Sequence, residues 1–270
     1  MRGLVLFAVV LATVSAELVG INNKYFETIG IPLARKIKEY EDSLVLNEDG
    51  TVNPRIVGGV VAPISSYPYL VITAAHCWND GSRQAVQFEV VFGSQFLFYG
   101  GTRIVTTNVV MHPNYNPTWF WNDVAVITLP WSVSFIPNLI QPIALPSGAD
   151  LNQSFEGLIA TAIGYGRTSD SQTGVSMNTE VSAVNLAIIS LPMCRMSFIA
   201  EFVQESNICT SGIGGVGLCG GDSGGPLVLN RNGVPTLVGI SSYAAGTCAA
   251  GFPSGFARVT SFYSFILQNM

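Results

Sequence analysis

From Ile56 to the C-terminus, turn residues cut the chain into short apolar runs, and this punctuation restricts it to a β-rich fold. Phe88–Phe92, Arg103–Val110, Val124–Leu129, Leu158–Ile163, Thr236–Ile240 and Gly255–Val259 follow one another with Gly and Pro between them and few long helical patterns. Such spacing predicts an all-β sandwich or barrel. Only Thr260–Met270 changes period, with Phe262, Phe265 and Ile266 at i, i+3 and i+4, which predicts a short terminal helix. At 49% hydrophobic and 11% charged residues the chain can bury a large core, and disorder is excluded as its ground state.

The first 55 residues have a different character. Leu4 to Val14 is an apolar run behind Met1-Arg2, and Val14-Ser15-Ala16 supplies small residues for a cut, so residues 1–16 are expected to be a signal peptide and the protein to be secreted. No later stretch holds enough uninterrupted apolar residues to cross a bilayer. Residues 17–55 carry 7 of the 17 acids and no cysteine. Pro32 opens a predicted helix with Leu33, Ile37, Tyr40 and Leu44 at helical spacing, followed by the polar stretch Asn47–Pro54. That segment reads either as a small solvated helix or as a pro-segment ending in an exposed linker of the kind proteases cut.

Chemistry concentrates in Cys219-Gly220-Gly221-Asp222-Ser223-Gly224-Gly225-Pro226. A serine is a useful nucleophile only if its hydroxyl stands clear of the backbone, a base lies beside it, and donors wait where negative charge develops. Glycines suit the first and third needs, because backbone without Cβ turns sharply and aims N–H groups into a shared cavity. The block resembles the nucleophile motif of the chymotrypsin family of serine endopeptidases, and the chain is similar to insect digestive chymotrypsins. The resemblance spans residues 56–270 and implies two antiparallel six-stranded β-barrels with a C-terminal helix. It also implies Ser223 as nucleophile and the Gly221 and Ser223 N–H groups as an oxyanion hole.

Three other segments carry the resemblance. Thr73-Ala74-Ala75-His76-Cys77 resembles the family's catalytic-histidine motif; of the chain's two histidines, His76 is therefore the expected base and His112 a structural residue. Asn122-Asp123-Val124-Ala125-Val126 resembles the segment bearing the third triad member. An aspartate heading an apolar strand needs compensation, which a hydrogen bond from His76 Nδ1–H would provide. Arg55-Ile56-Val57-Gly58-Gly59 resembles the activation site, where a trypsin-like protease cuts and the new Ile56 ammonium pairs with Asp222. Each buried charge then makes the other tolerable, and a zymogen is implied.

The same alignment places Gly217 at the base of the primary specificity pocket with Leu218 beside it, and Ser242, Tyr243, Ala244 and Ser254 on the opposite wall. None is a carboxylate, so Lys or Arg would find no counter-charge. An apolar side chain is expected, aromatic or Leu if the slot is open and Ala or Val if it is narrow.

Five cysteines leave at least one without an internal partner. Cys194 with Cys209 and Cys219 with Cys248 match two disulfides of the family. The usual partner of Cys77 lies in a strand upstream, but here Tyr67-Pro68-Tyr69-Leu70 runs almost directly into Val71-Ile72-Thr73. Two strands and their turn, on the order of twenty residues, are absent, so the N-terminal barrel is expected to be incomplete. Two explanations compete: a variant with impaired or no catalysis, or an ordinary protease chain lacking one exon's worth of residues, which the unpaired Cys77 favours.

After Arg55 the chain has 6 arginines, 10 acids and no lysine. Lys begins to lose its charge near pH ~10 and Arg does not, so an alkaline digestive lumen is expected. This acidic balance and the scattered arginines give no basis for nucleic-acid binding. No metal-ligand spacing stands out, and no cofactor is expected. Asn152-Gln153-Ser154 is an N-glycosylation sequon. Expected partners are protein or peptide substrates, the activating protease and protein protease inhibitors. The main expectation is a digestive endopeptidase; the alternative is a catalytically silent homologue that binds peptides or inhibitors through the same groove.

Overall fold

The computed structural model describes residues 70–137 and 139–270, together with Lys24, Glu27, Ile31, Pro32 and Arg35. Of the predicted pro-segment helix, Ile31, Pro32 and Arg35 are helical; its remainder, the leader and Arg55–Ile56 lie outside the described residues. The strands, in order, are β1 Leu70–Thr73, β2 Phe88–Phe92, β3 Thr102–Thr106, β4 Val109–Met111, β5 Ala125–Thr128, β6 Ile159–Gly164, β7 Ser182–Ile189, β8 Asn207–Thr210, β9 Pro226–Arg231, β10 Val234–Ala244 and β11 Ser254–Arg258. Two short α-helices lie within residues 70–270 as described, α1 at Leu191–Arg195 and α2 at Tyr263–Gln268, the latter preceded by a 3₁₀ turn at Val259–Phe262.

Six strands close an antiparallel barrel in the order β10-β11-β8-β7-β6-β9. Its core interleaves Leu186 and Ile188 of β7 with Ile208, Leu227, Leu229, Val238 and Phe256. Gly239 occupies the crowded middle of β10, where a Cβ would stand 3.1 Å from side chains of Ile208, Leu227 and Phe256. Glycine there admits the irregularity between Leu237 and Gly239 in the pairing with β9. β10 runs well beyond the expected Thr236–Ile240 because both of its faces are covered and it no longer alternates; the polar Ser241 and Ser242 in its buried continuation hid that length.

The first half is arranged as an arc. β1 and β4 flank β5, and β2 pairs with β3. The expected single strand Arg103–Val110 is divided into β3 and β4: Thr106 Oγ1 donates to the Thr128 carbonyl at 2.7 Å, and Asn108 accepts the Thr128 N–H at 2.9 Å. The chain thereby passes from its pairing with β2 to its pairing with β5. Among the described residues these are two separate sheets, β1-β5-β4 and β2-β3, and they do not close into a barrel. It is held to the closed barrel by a seam in which Ala74, Cys77 and Val124 pack with Leu237, Ile240, Ala257, Val259, Phe262 and Ile266. The terminal helix therefore belongs to the inter-barrel core.

Cys194–Cys209 and Cys219–Cys248 are disulfide-bonded, and Cys77 is a buried free thiol. α1 is short but capped: Ser190 Oγ accepts the Met193 N–H, and Pro192 lies in the first turn. Phe256 is fully buried at the centre of the closed barrel. Phe256→Ala is expected to cost about 3–5 kcal/mol in denaturant unfolding, whereas breaking the solvent-screened Arg231–Asp150 ion pair is expected to leave the unfolding midpoint nearly unchanged.

Candidate active site

Two buried polar residues meet at the seam. His76 lies in a 3₁₀ turn, Ala75–Cys77, directly after β1; Asp123 stands just before β5, β1's partner in the arc. The turn that delivers Asp123 is tight, with Phe120 and Asn122 in the left-handed region at φ 53° and 54°. Asn122 secures it by donating from Nδ2 to the Asn114 carbonyl at 2.8 Å. Backbone in this region is unfavourable for residues other than glycine, and here it is retained beside a buried carboxylate.

The Asp123 side chain is 1% exposed and accepts three hydrogen bonds. His76 N–H reaches Oδ1 at 2.8 Å, His76 Nδ1 reaches Oδ2 at 2.7 Å, and Ser242 Oγ donates to Oδ2 at 2.5 Å. Nδ1–H therefore points at the carboxylate, which leaves Nε2 as the lone-pair side of the neutral ring. Phe120 packs edge-on against the imidazole at 5.4 Å. Burial pulls the His76 pKa down, but the charge of Asp123 and the contact with Cys77 together raise it well above the ordinary histidine value.

Ser223 lies in the loop leading to β9. Gly224 N–H donates to the Ser241 carbonyl and Ser241 N–H to the Gly225 carbonyl, both at 2.8 Å, which ties the loop to β10. On its other side the loop presses on the histidine turn. A Cβ on Gly224 would overlap Thr73 Oγ1 and stand 3.2 Å from Cys77 Sγ and 3.4 Å from Ala74 N. Glycine is required at this position both for that close approach and for φ +76°. Gly221, at φ +105°, approaches Gly166 so closely that a Cβ would lie 2.9 Å from its Cα.

Asp222 points away from Ser223, accepting the Gly166 N–H at 2.8 Å and the Cys219 N–H at 2.9 Å. Gly164 and Gly166 have no space for side chains because the Asp222 carboxylate fills it. Burial raises the Asp222 carboxyl above its usual range, only partly offset by the Cys219 and Gly166 N–H groups. A cavity of about 210 Å³ adjoins this carboxylate, lined also by Gly164, Gly166, Arg167, Ser182 and Val216.

The expected pocket residues divide into two kinds. Ser254 is buried and accepts the Leu218 N–H at 2.9 Å, and a Cβ on Gly217 would stand 2.7 Å from its hydroxyl. These two lie against each other with no carboxylate between them. Leu218 turns its side chain into the closed-barrel core, and Tyr243 buries its ring among Phe120, Phe198 and Phe202. From these two residues a substrate would meet backbone, not side chain; Ala244 is partly buried against the same barrel core. His112 lies away from this cluster, its ring edge-on to Phe262 and Phe265 at 5.4 and 4.9 Å. Sequence reasoning missed that Ser242 serves Asp123 and that Gly164 and Gly166 cradle Asp222. The Gly-Tyr-Gly triplet at the end of β6 was the available signal.

A histidine locked to a buried carboxylate beside a glycine-flanked serine suits one class of protein, the serine hydrolases built on β-barrels. Known proteins agree. The family profile described as Trypsin matches residues 59–266. A collagenase of Hypoderma lineatum is 38% identical over 200 residues, 74% of this chain and 72% of the relative. Brachyurin of Leptuca pugilator is 36% identical over 235 residues, 78% of this chain and 96% of the relative. A solved structure described as HL collagenase superposes with a TM-score of 0.67 at 35% identity, covering 75% of this chain and 83% of the other. The chain belongs to the trypsin family of serine endopeptidases.

The raised His76 pKa has a thermodynamic consequence. A histidine whose folded pKa exceeds its unfolded value contributes stability that is complete below the unfolded pKa, about 6.5, and disappears as pH rises through the folded pKa. Urea unfolding between pH 6 and 9 is therefore expected to show wild-type stability falling with pH more steeply than that of Asp123→Asn. Parallel curves would show that the pair is not coupled.

Proposed function

We propose that this chain is a secreted serine endopeptidase, made with a signal peptide at residues 1–16 and a pro-segment at residues 17–55. It is activated by tryptic cleavage after Arg55, which leaves residues 56–270 as the protease domain. Ser223 Oγ attacks the scissile carbonyl, His76 Nε2 takes its proton and returns it to the leaving amine, and Asp123 holds the imidazole tautomer and stabilises the imidazolium. The Gly221 and Ser223 N–H groups receive the oxyanion. This is the family's established sequence of steps, carried over residue by residue. The observation that best supports it is the buried Asp123 carboxylate with its three donors, two of them from His76.

The activation step draws support from Asp222. Its carboxylate has two N–H partners and no cation among the described residues, and burial penalises its charge. The Ile56 ammonium is the missing partner, and the cavity beside the carboxylate gives the new terminus a place to insert. In the pocket, Gly217 and Ser254 offer no carboxylate, which favours an apolar residue before the cut bond. Proteins of the diet are the natural substrates. The lysine-free chain after Arg55 and the raised His76 pKa both suit an alkaline lumen.

One observation supports a second reading, that of a silent homologue binding peptides or inhibitors: β1, which leads into the His76 turn, has an open edge among the described residues. Intact mass decides between the two, measured before and after trypsin with and without an organophosphorus reagent that acylates activated serines. The protease reading expects loss of residues 17–55 and then a single adduct on Ser223. Clean processing without an adduct would transfer the protein to the silent class. Gly166→Ala, which places a methyl 2.5 Å from Asp222 oxygens, is expected to be processed normally yet to lose the adduct. Peptide libraries are expected to show cleavage after Leu, Phe or Tyr at least ~100-fold above Arg, with activity persisting beyond pH ~8, the range where an unperturbed α-amino group would lose its proton. A preference for Arg, or activity lost by pH ~8, would refute the pocket and lumen assignments respectively.

A further inference from the structure

Cys77 is the buried nucleophile that the mechanism leaves unused. The other four cysteines are consumed in two disulfides, so this thiol stays reduced inside the protein. Its Sγ lies 3.8 Å from His76 Nε2, the nitrogen on the side of the ring opposite Asp123. The residue is 5% exposed, packed in the seam with Ala74 and Val124, and pressed from the serine loop by Gly224. It cannot easily turn away.

Hydrogen-bond bookkeeping then produces a conflict. Nδ1 spends its proton on Asp123, so Nε2 is an acceptor with one lone pair. The thiol can satisfy itself there only by donating S–H to that lone pair. A serine nucleophile must donate its O–H to the same lone pair before it can attack. Complete transfer of the thiol proton would leave a thiolate and an imidazolium, and an imidazolium has no lone pair to offer serine at all. Either position of the proton obstructs the base.

We propose that Cys77 acts as a brake on the base, its thiol competing with the Ser223 hydroxyl for Nε2 of His76. The proposal rests on His76 serving Ser223 as described above. Cys77 is thus a positioning residue that acts through His76 and touches no substrate.

Among the described residues, these groups bear on the charge of His76. Asp123 faces Nδ1 and Cys77 faces Nε2; beyond them lies Tyr115, which hydrogen-bonds the Asn79 carbonyl and feels Asp123, Cys77 and Asp80. Phe120 covers the ring, and Asp222 is directed away toward Gly166. Burial works to lower the His76 pKa, and Asp123 and Cys77 both raise it, so removal of the thiol moves it down. More of the base is then neutral at a given pH.

The test compares wild type, Cys77→Ala and Cys77→Ser after trypsin activation. Cys77→Ala is expected to raise kcat, and the rate of organophosphorus acylation, roughly five- to tenfold with KM within about twofold, and to shift the acid limb of the pH profile to lower pH. Cys77→Ser, which keeps a donor but no ionisable thiol, should lie between the two. A variant that merely loosened the seam would lower the melting temperature and kcat together and leave the limb in place, which would overturn the proposal. Imidazole titration by NMR reads the same contact without turnover, and with two histidines in the chain assignment is direct. A His76 titration midpoint lower in Cys77→Ala than in wild type supports the thiol's hold on Nε2 independently of turnover, and with an active protein it supports the brake. An unchanged midpoint overturns the brake and leaves the protease reading standing; absence of the Ser223 adduct in all three proteins, with the midpoint shifted, refutes the protease reading alone.

Discussion

A carboxylate almost wholly removed from water is the constraint around which this molecule is arranged. Asp123 at the seam would be costly without compensation, and three donors supply it: two from His76 and one from Ser242. Those donors come from distant parts of the chain, one just after β1 and the other in β10. Satisfying a single side chain therefore fixes how the open arc sits on the closed barrel. The apolar seam reinforces the same join, with Ala74, Cys77 and Val124 of the arc packed on β10, β11 and the terminal helix. Because Gly224 lies against the histidine turn, the arrangement that neutralises Asp123 also brings the Ser223 loop into the same corner.

The two halves share this work unequally. The closed barrel has both disulfides, a continuous core and no free edges, and it carries Ser223, Asp222 and the proposed pocket positions. The arc carries His76 just after β1 and Asp123 just before β5, strands paired with each other over four residues. The proposed base and its carboxylate thus depend on the β1–β5 register and on the seam. Cys77 in this chain is a free thiol against the imidazole.

Much of this was legible in the residues, for identifiable physical reasons. Phe88–Phe92 was predicted with its observed limits because four of its five residues are aromatic or β-branched and Gly93 ends the run. The terminal helix was visible through Phe262, Phe265 and Ile266, whose spacing has no other use. β1, β7, β8 and β9 escaped notice: Leu70–Thr73 and Asn207–Thr210 are four residues long, Ser182–Ile189 begins with two exposed residues, and Pro226 opens β9 with a residue that normally marks a break. The site was legible by motif, since Gly-Asp-Ser-Gly-Gly-Pro and Ala-Ala-His-Cys carry backbone requirements that few other sequences meet. Its second layer was not. That Ser242 would donate to Asp123, that Leu218 and Tyr243 would turn inward, and that two glycines would cradle Asp222 are facts of tertiary approach, with no local pattern to announce them.

The claim most exposed to test is that Asp123 holds His76 in one tautomer for the use of Ser223. The direct measurement is the ¹⁵N-coupled proton spectrum of the imidazole in the activated protein, before and after phosphonylation of Ser223. A far-downfield, exchange-protected Nδ1–H that vanishes in Asp123→Ala and shifts when Ser223 carries the adduct is the predicted result. A rapidly exchanging proton, or a protected one indifferent to the state of Ser223, would contradict it, for then His76 and Ser223 would be neighbours in space but not partners in a reaction.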